Sequence, residues 1–181
     1  YVSSPVNGDQ LYTVAIFRGI PNIYGGGSVL CFSRSSDYGS TSPTLFTNSS
    51  DNKLKENPRI AANGNLDKSA MVVTRRLYGG GDWDPYYFYS SDITSGVPPA
   101  FSSGYVDNSN DTTLGVSVAG LYRSNGTYLF AYSNLKALST TVFTTNIYTR
   151  PFNNGVAGAI VQANPGGIPG TYLWGNPDAS F

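Results

Sequence analysis

Short apolar runs, broken by glycine, proline, asparagine and aspartate, set the rhythm of this chain. The runs are β-branched or aromatic, and helical periodicity is nearly absent. Runs of this kind, bounded by turn residues, read as strands. The pattern predicts them at Leu11–Arg18, Val29–Arg34, Thr44–Thr47, Arg59–Ala62, Ala70–Leu77, Tyr86–Ser90, Gly115–Tyr122, Thr127–Tyr132, Thr141–Tyr148, Gly158–Ala163 and Thr171–Trp174. The best helical candidate, Ser133–Leu138, amounts to little more than one turn. The expectation is an all-β protein of short antiparallel strands and long loops.

Four segments share a plan: VNGDQLYTVAIFRG (6–19), AANGNLDKSAMVVTRR (61–76), YRSNGTYLFAYS (122–133) and ANPGGIPGTYLWGN (163–176). Each runs from a glycine turn into an apolar or aromatic strand. In the first two, a glycine-rich loop and a second strand ending in Ser-Asp follow. This points to one domain of propeller-like hairpin repeats, with units 1–56, 57–107, 108–154 and 155–181. A β-sandwich or jelly roll is the alternative, because Gly-punctuated hairpins occur there too. Open sheet edges invite pairing with other chains, so an unfinished set of blades implies a homo-oligomer or a place in a larger assembly.

Composition narrows the chemistry. Charged residues are only 12% of the 181, with eleven basic and eleven acidic side chains in balance. There is no basic block for nucleic acid and no apolar run long enough to span a membrane as a helix. Fourteen tyrosines and nine phenylalanines argue against disorder, because disordered chains are poor in aromatics. Histidine is absent and Cys31 is alone, which removes His-based triads, zinc sites of the usual ligands and any internal disulfide. Cys31, inside V-L-C-F, reads as a core residue. No cofactor and no metal are expected, and the residues weigh against an enzyme. Low charge with abundant Ser, Thr, Asn and Tyr fits an extracellular or virion-surface location. Asn48, Asn110 and Asn125 head three N-x-[ST] sequons, which are glycosylation candidates.

The stretch Ser35-x-Asp37-x-Gly39-x-Thr41 follows the apolar run at 29–34. Its chemistry is that of a turn: carboxylate and hydroxyl take backbone N–H groups, and the glycine permits positive φ. The stretch resembles the Asp-box of sialidase-type β-propellers, with Ser42 where that family usually has an aromatic. Ser90-Ser-Asp92 looks like a partial second copy. FRGIP (17–21) is similar to the family's Phe-Arg-Ile-Pro motif, with Gly19 inserted. The resemblance covers residues 11–95 at most. It implies a propeller fold and, for Arg18, a grip on a substrate carboxylate. A sialidase-like glycosidase fragment is therefore one functional reading, although 181 residues are too few for six blades. Its arginine candidates are Arg18, Arg75, Arg76, Arg123 and Arg150.

Two glycine-rich loops carry the binding candidates. LYGGGDWDPYY (77–87) sets Trp83 between Asp82 and Asp84, with Tyr78, Tyr86 and Tyr87 close by; IPNIYGGGS (20–28) presents Tyr24. An exposed ring flanked by acceptors suits a sugar, whose C–H face stacks while its hydroxyls donate. Tyr24, Tyr78, Asp82, Trp83, Asp84, Tyr86, Arg18 and Arg76 are thus the expected glycan-binding residues, and no residue is assigned a catalytic role. The leading expectation is a glycan- or receptor-binding domain of the lectin, adhesin or viral attachment type, its partner a carbohydrate or cell-surface receptor. A structural subunit of a virion, filament or surface layer is the competitor.

Overall fold

The computed structural model describes residues 2–4, 10–18, 28–35, 44–48, 53–62, 68–93, 100–121, 126–138, 143–164 and 168–169. Among these the chain is all-β, with antiparallel sheets and a single 3-10 turn in place of any α-helix. The first sheet is β1 (Val2–Ser4), β2 (Gln10–Arg18), β3 (Ser28–Ser35) and β4 (Thr44–Asn48). The second is β5 (Lys55–Ala62), β6 (Ala70–Leu77), β7 (Trp83–Ser90) and β8 (Ser102–Tyr105). The third is β9 (Thr112–Gly120), β10 (Thr127–Ala137), β11 (Phe143–Asn153) and β12 (Val156–Ala157). In each sheet spatial order follows chain order, so each is a meander. The later strands β13 (Val161–Gln162) and β14 (Ile168–Pro169) also pair with β11.

The best helical candidate, Ser133–Leu138, is not helical. Ser133 to Ala137 continue β10, paired with Ile147 to Phe143 of β11. One turn is far too short to be stable as an isolated helix, and the long partner strand β11 offers its backbone a ladder instead. The side chains agree with the strand: Tyr128, Phe130, Tyr132 and Asn134 alternate and are all buried.

The middle sheet is covered on both faces. Register places Ala70, Val72, Thr74 and Arg76 on one face with Ser90, Phe88, Tyr86 and Asp84 opposite them. That face packs against the first sheet, where Ala70, Val72 and Phe88 join Leu30 and Phe32, with Phe101 edge-on to Phe32 at 5.7 Å. Cys31 is buried and free, and burial raises its thiol pKa. On the other face Met71, Val73 and Tyr89 meet Val116, Val118, Tyr128, Phe130 and Phe152 of the third sheet. Phe152 is the hub, with ring contacts to Tyr87, Tyr89, Tyr128 and Phe130 at 5.1–6.4 Å. Edge-to-face geometry adds about 0.5–1.5 kcal/mol per pair beyond area burial. The hydroxyl of Tyr128 is satisfied by Ser69 Oγ at 2.6 Å.

Two local devices shape the sheets. Asn154 (φ 47°) and Gly155 (φ 87°) form the two-residue turn between β11 and β12, the positive-φ pair that matches strand twist. In β9 the register with β10 skips Leu114, a bulge that leaves its carbonyl to accept Arg75 Nη1 at 2.7 Å.

Candidate functional site

In a meander, successive connections fall at alternate ends of the sheet. The β6–β7 turn and the β8–β9 connection therefore share one end, opposite the Ser-Asp stretch after β7. The β6–β7 turn is compact: Tyr78 N–H donates to the Asp82 carbonyl at 2.7 Å around the 3-10 turn Gly79–Gly81. Gly81, at φ 92°, needs to be glycine. Thr112 Oγ1 donates to Asp82 Oδ1 at 3.2 Å, and Leu77 N–H to the Leu54 carbonyl at 2.8 Å. Three segments around 54, 78–82 and 107–112 thus meet at this rim.

Sequence reading groups Asp82, Trp83 and Asp84 as one indole between two acceptors. Strand alternation divides them. Trp83 opens β7 on the face toward the third sheet, and Asp84 lies on the opposite face. Trp83 is only half-buried, and Arg75 sits over its ring at 4.7 Å. Arg75 is itself tied down by the Leu114 carbonyl and by Glu56 at 3.4 Å. Burial lowers its pKa, while the Glu56 charge works the other way.

The Asp84 face holds the more open constellation. Arg76 lies over Tyr86 at 4.7 Å and over Tyr105 at 5.4 Å, and donates to the Tyr105 hydroxyl. Tyr105 stands edge-on to Tyr86 at 5.0 Å and to Tyr78 at 5.9 Å. Tyr86 Oη shares a hydrogen bond with Ser103 Oγ at 3.0 Å. Tyr78 is 49% exposed. The result is a tyrosine platform with a guanidinium set into it. Burial raises the Tyr105 pKa, with Arg76 opposing, so its hydroxyl remains protonated and polar.

Behind the platform lies Asp84, 1% exposed, with neither carboxylate oxygen hydrogen-bonded. Burial first, then the charges of Asp82 and Asp107, push its pKa up to about 6, against the pull of Arg76. Asp107 is engaged elsewhere: it accepts from Tyr132 Oη at 3.1 Å, Asn134 Nδ2 at 3.3 Å, and Ser109 N and Oγ at 3.1 and 3.2 Å. This network clamps the β8–β9 connection onto the third sheet, and with burial it raises the Tyr132 pKa. Among the described residues no group of three or more His, Cys, Asp or Glu is placed to hold a metal ion.

Of the expected binding residues, Arg76, Tyr78 and Tyr86 come together, Asp84 lies behind them, Asp82 stands at the same rim and Trp83 faces away. Arg18 ends β2 and Ser35 ends β3, but their side chains, like Tyr24, Asp37, Gly39, Thr41 and Asn125, lie outside what is described. Asn48 ends β4, and Asn110 is exposed in the β8–β9 connection. Arg150 donates to the Val106 and Gly158 carbonyls, a structural use. Tyr105 and Ser103 escape sequence reading because SSGY is too short and polar to read as a strand. Only its pairing with Tyr86–Tyr89 makes it β8.

No family model matches the chain, and neither curated proteins nor solved structures contain a match to it.

Proposed function

We propose that this chain is an extracellular or virion-surface domain that binds a glycan, or a receptor bearing one, through the Tyr78–Tyr86–Tyr105 platform. The observation that carries the reading is the arrangement of Arg76 between rings, with Tyr78 standing half-exposed beside them. A pyranose needs a flat apolar face for its C–H groups and fixed polar partners for its hydroxyls. The platform has both: Tyr78 for stacking, and Arg76, Ser103 and the Tyr105 hydroxyl for hydrogen bonds. Rings already braced by one another lose little entropy on binding.

The same proposal takes the three meanders as propeller-like blades related to the Asp-box type. In its support, the middle sheet is packed on both faces, and the first strands neighbour one another, β1 beside β5 and β5 beside β9. Glycan-array binding is the test. Tyr78→Ala and Arg76→Ala are each expected to weaken binding at least about tenfold, the loss of one good contact. Trp83→Phe, on the opposite face, leaves it unchanged. An array without a hit, or equal binding by all variants, sinks the proposal.

A second reading, as a subunit of an assembly, is favoured by exposed apolar residues beyond β11: Val156 (70% exposed), Ile160 and Val161. Sedimentation tests it, since a monomer at high concentration argues against assembly.

A further inference from the structure

We propose that Asp84 and Tyr105 compete for Arg76, and that the protonation state of Asp84 decides which of them holds it. The platform is then a pH-operated switch. Arg76 and Asp84 are direct cross-strand partners on β6 and β7 and share one face. Yet Arg76 donates to the Tyr105 hydroxyl and lies over two tyrosine rings, while both Asp84 oxygens are buried without a hydrogen bond. An ionised carboxylate in that position lacks the donors that would replace water, so burial disfavours the charged form. The arrangement seen is therefore the one that suits the neutral acid.

The groups around Asp84 among the described residues define what happens on ionisation. Arg76 faces it from β6, with Lys55 next in the same row on β5. Asp82 stands at the head of β7, Tyr105 on β8 and Asp107 just beyond. The two acids repel a charge on Asp84. Arg76 is the cation directly opposite, and its fork fits a carboxylate better than a phenol. Deprotonation therefore draws Arg76 off Tyr105 and onto Asp84, which unpins Tyr105 and changes the polar pattern of the platform. The transition falls near pH 6, where the buried acid titrates.

The consequence for ligand binding rests on the proposed function; the switch does not, so its test uses no ligand. The whole chain, labelled in Asp carboxyl carbon, Arg side-chain nitrogen and Tyr ring carbon, is titrated by NMR. The Asp84 signal is expected to titrate near pH 6, with the Arg76 and Tyr105 signals following the same midpoint. Tyr105→Phe removes the competing acceptor, leaves Arg76 to the carboxylate and should lower the Asp84 midpoint by about half to one unit. Three results would each overturn the proposal. They are no Asp84 titration between about pH 4.5 and 7.5, Arg76 and Tyr105 signals that ignore it, or a midpoint unmoved or raised in Tyr105→Phe.

Discussion

Arg75 and Arg76 are neighbours in sequence and opposites in use. Arg75 points toward the third sheet, donating to the Leu114 carbonyl there while Glu56 and Trp83 of its own sheet hold it from the side. Arg76 points the other way, onto tyrosines at an open rim. The contrast holds for the two faces as wholes. One is an aromatic interface centred on Phe152, where Tyr128 Oη meets Ser69 and Arg75 Nη1 meets the Leu114 carbonyl. The other changes along the strands from the apolar residues Val72 and Phe88 to Arg76, Asp84 and Tyr105. The difference teaches that residue type alone does not mark a site in this protein. What marks it is a polar group whose partner is another candidate rather than the scaffold.

The comparison can be broken at several points. The largest effect is expected on the aromatic face: Phe152→Ala should cost about 3–5 kcal/mol, read by urea denaturation, because four rings lose their common contact. A loss near 1 kcal/mol would mean that the interface is not the core.

Asp84 comes next, and its sign is opposite to that of most carboxylates. Its folded-state pKa lies above its unfolded value, so the folded chain binds the extra proton. The stability this gives is complete below about pH 4 and is lost as pH rises through about 6, to a limit of about 3 kcal/mol. Asp84→Asn should flatten this part of the pH profile and raise the melting temperature at pH 8. A profile unchanged by the substitution would remove Asp84 as its cause.

The arginines give the finest contrast. Arg75→Ala should cost about 1.5–3 kcal/mol through the charged hydrogen bond it leaves unmade. Arg76→Ala should cost about 1 kcal/mol or less, the size of a partly exposed ring contact. Equal losses in denaturant would erase the distinction between the two faces.

Much of the fold was legible locally. Ala70–Leu77 is a strand with the boundaries its pattern predicts. Elsewhere local signals misled for physical reasons. Asp84 and Pro85 read as turn residues, yet β7 begins at Trp83. Pro85 is tolerated because its carbonyl faces the β8 side, where it accepts Val106 N–H, so its missing N–H costs the ladder with β6 nothing. The polar Ser133–Leu138 resembled a turn of helix until β11 supplied a partner. For the site, tyrosines and an arginine in one glycine-rich segment were visible, but Tyr105 was not, because it arrives from another strand.

The sequence by itself determined the class. Short apolar runs and turn residues point to strands, since both signals act within a few residues, and the described residues bear this out with strands and one 3-10 turn. Tertiary structure decided the rest. Which of Trp83 and Asp84 joins the rim depends on which neighbour covers each face of β7. Whether Arg76 meets a phenol or a carboxylate depends on β8, about thirty residues further on. Those choices are made by pairing and packing between distant segments, and no local pattern encodes them.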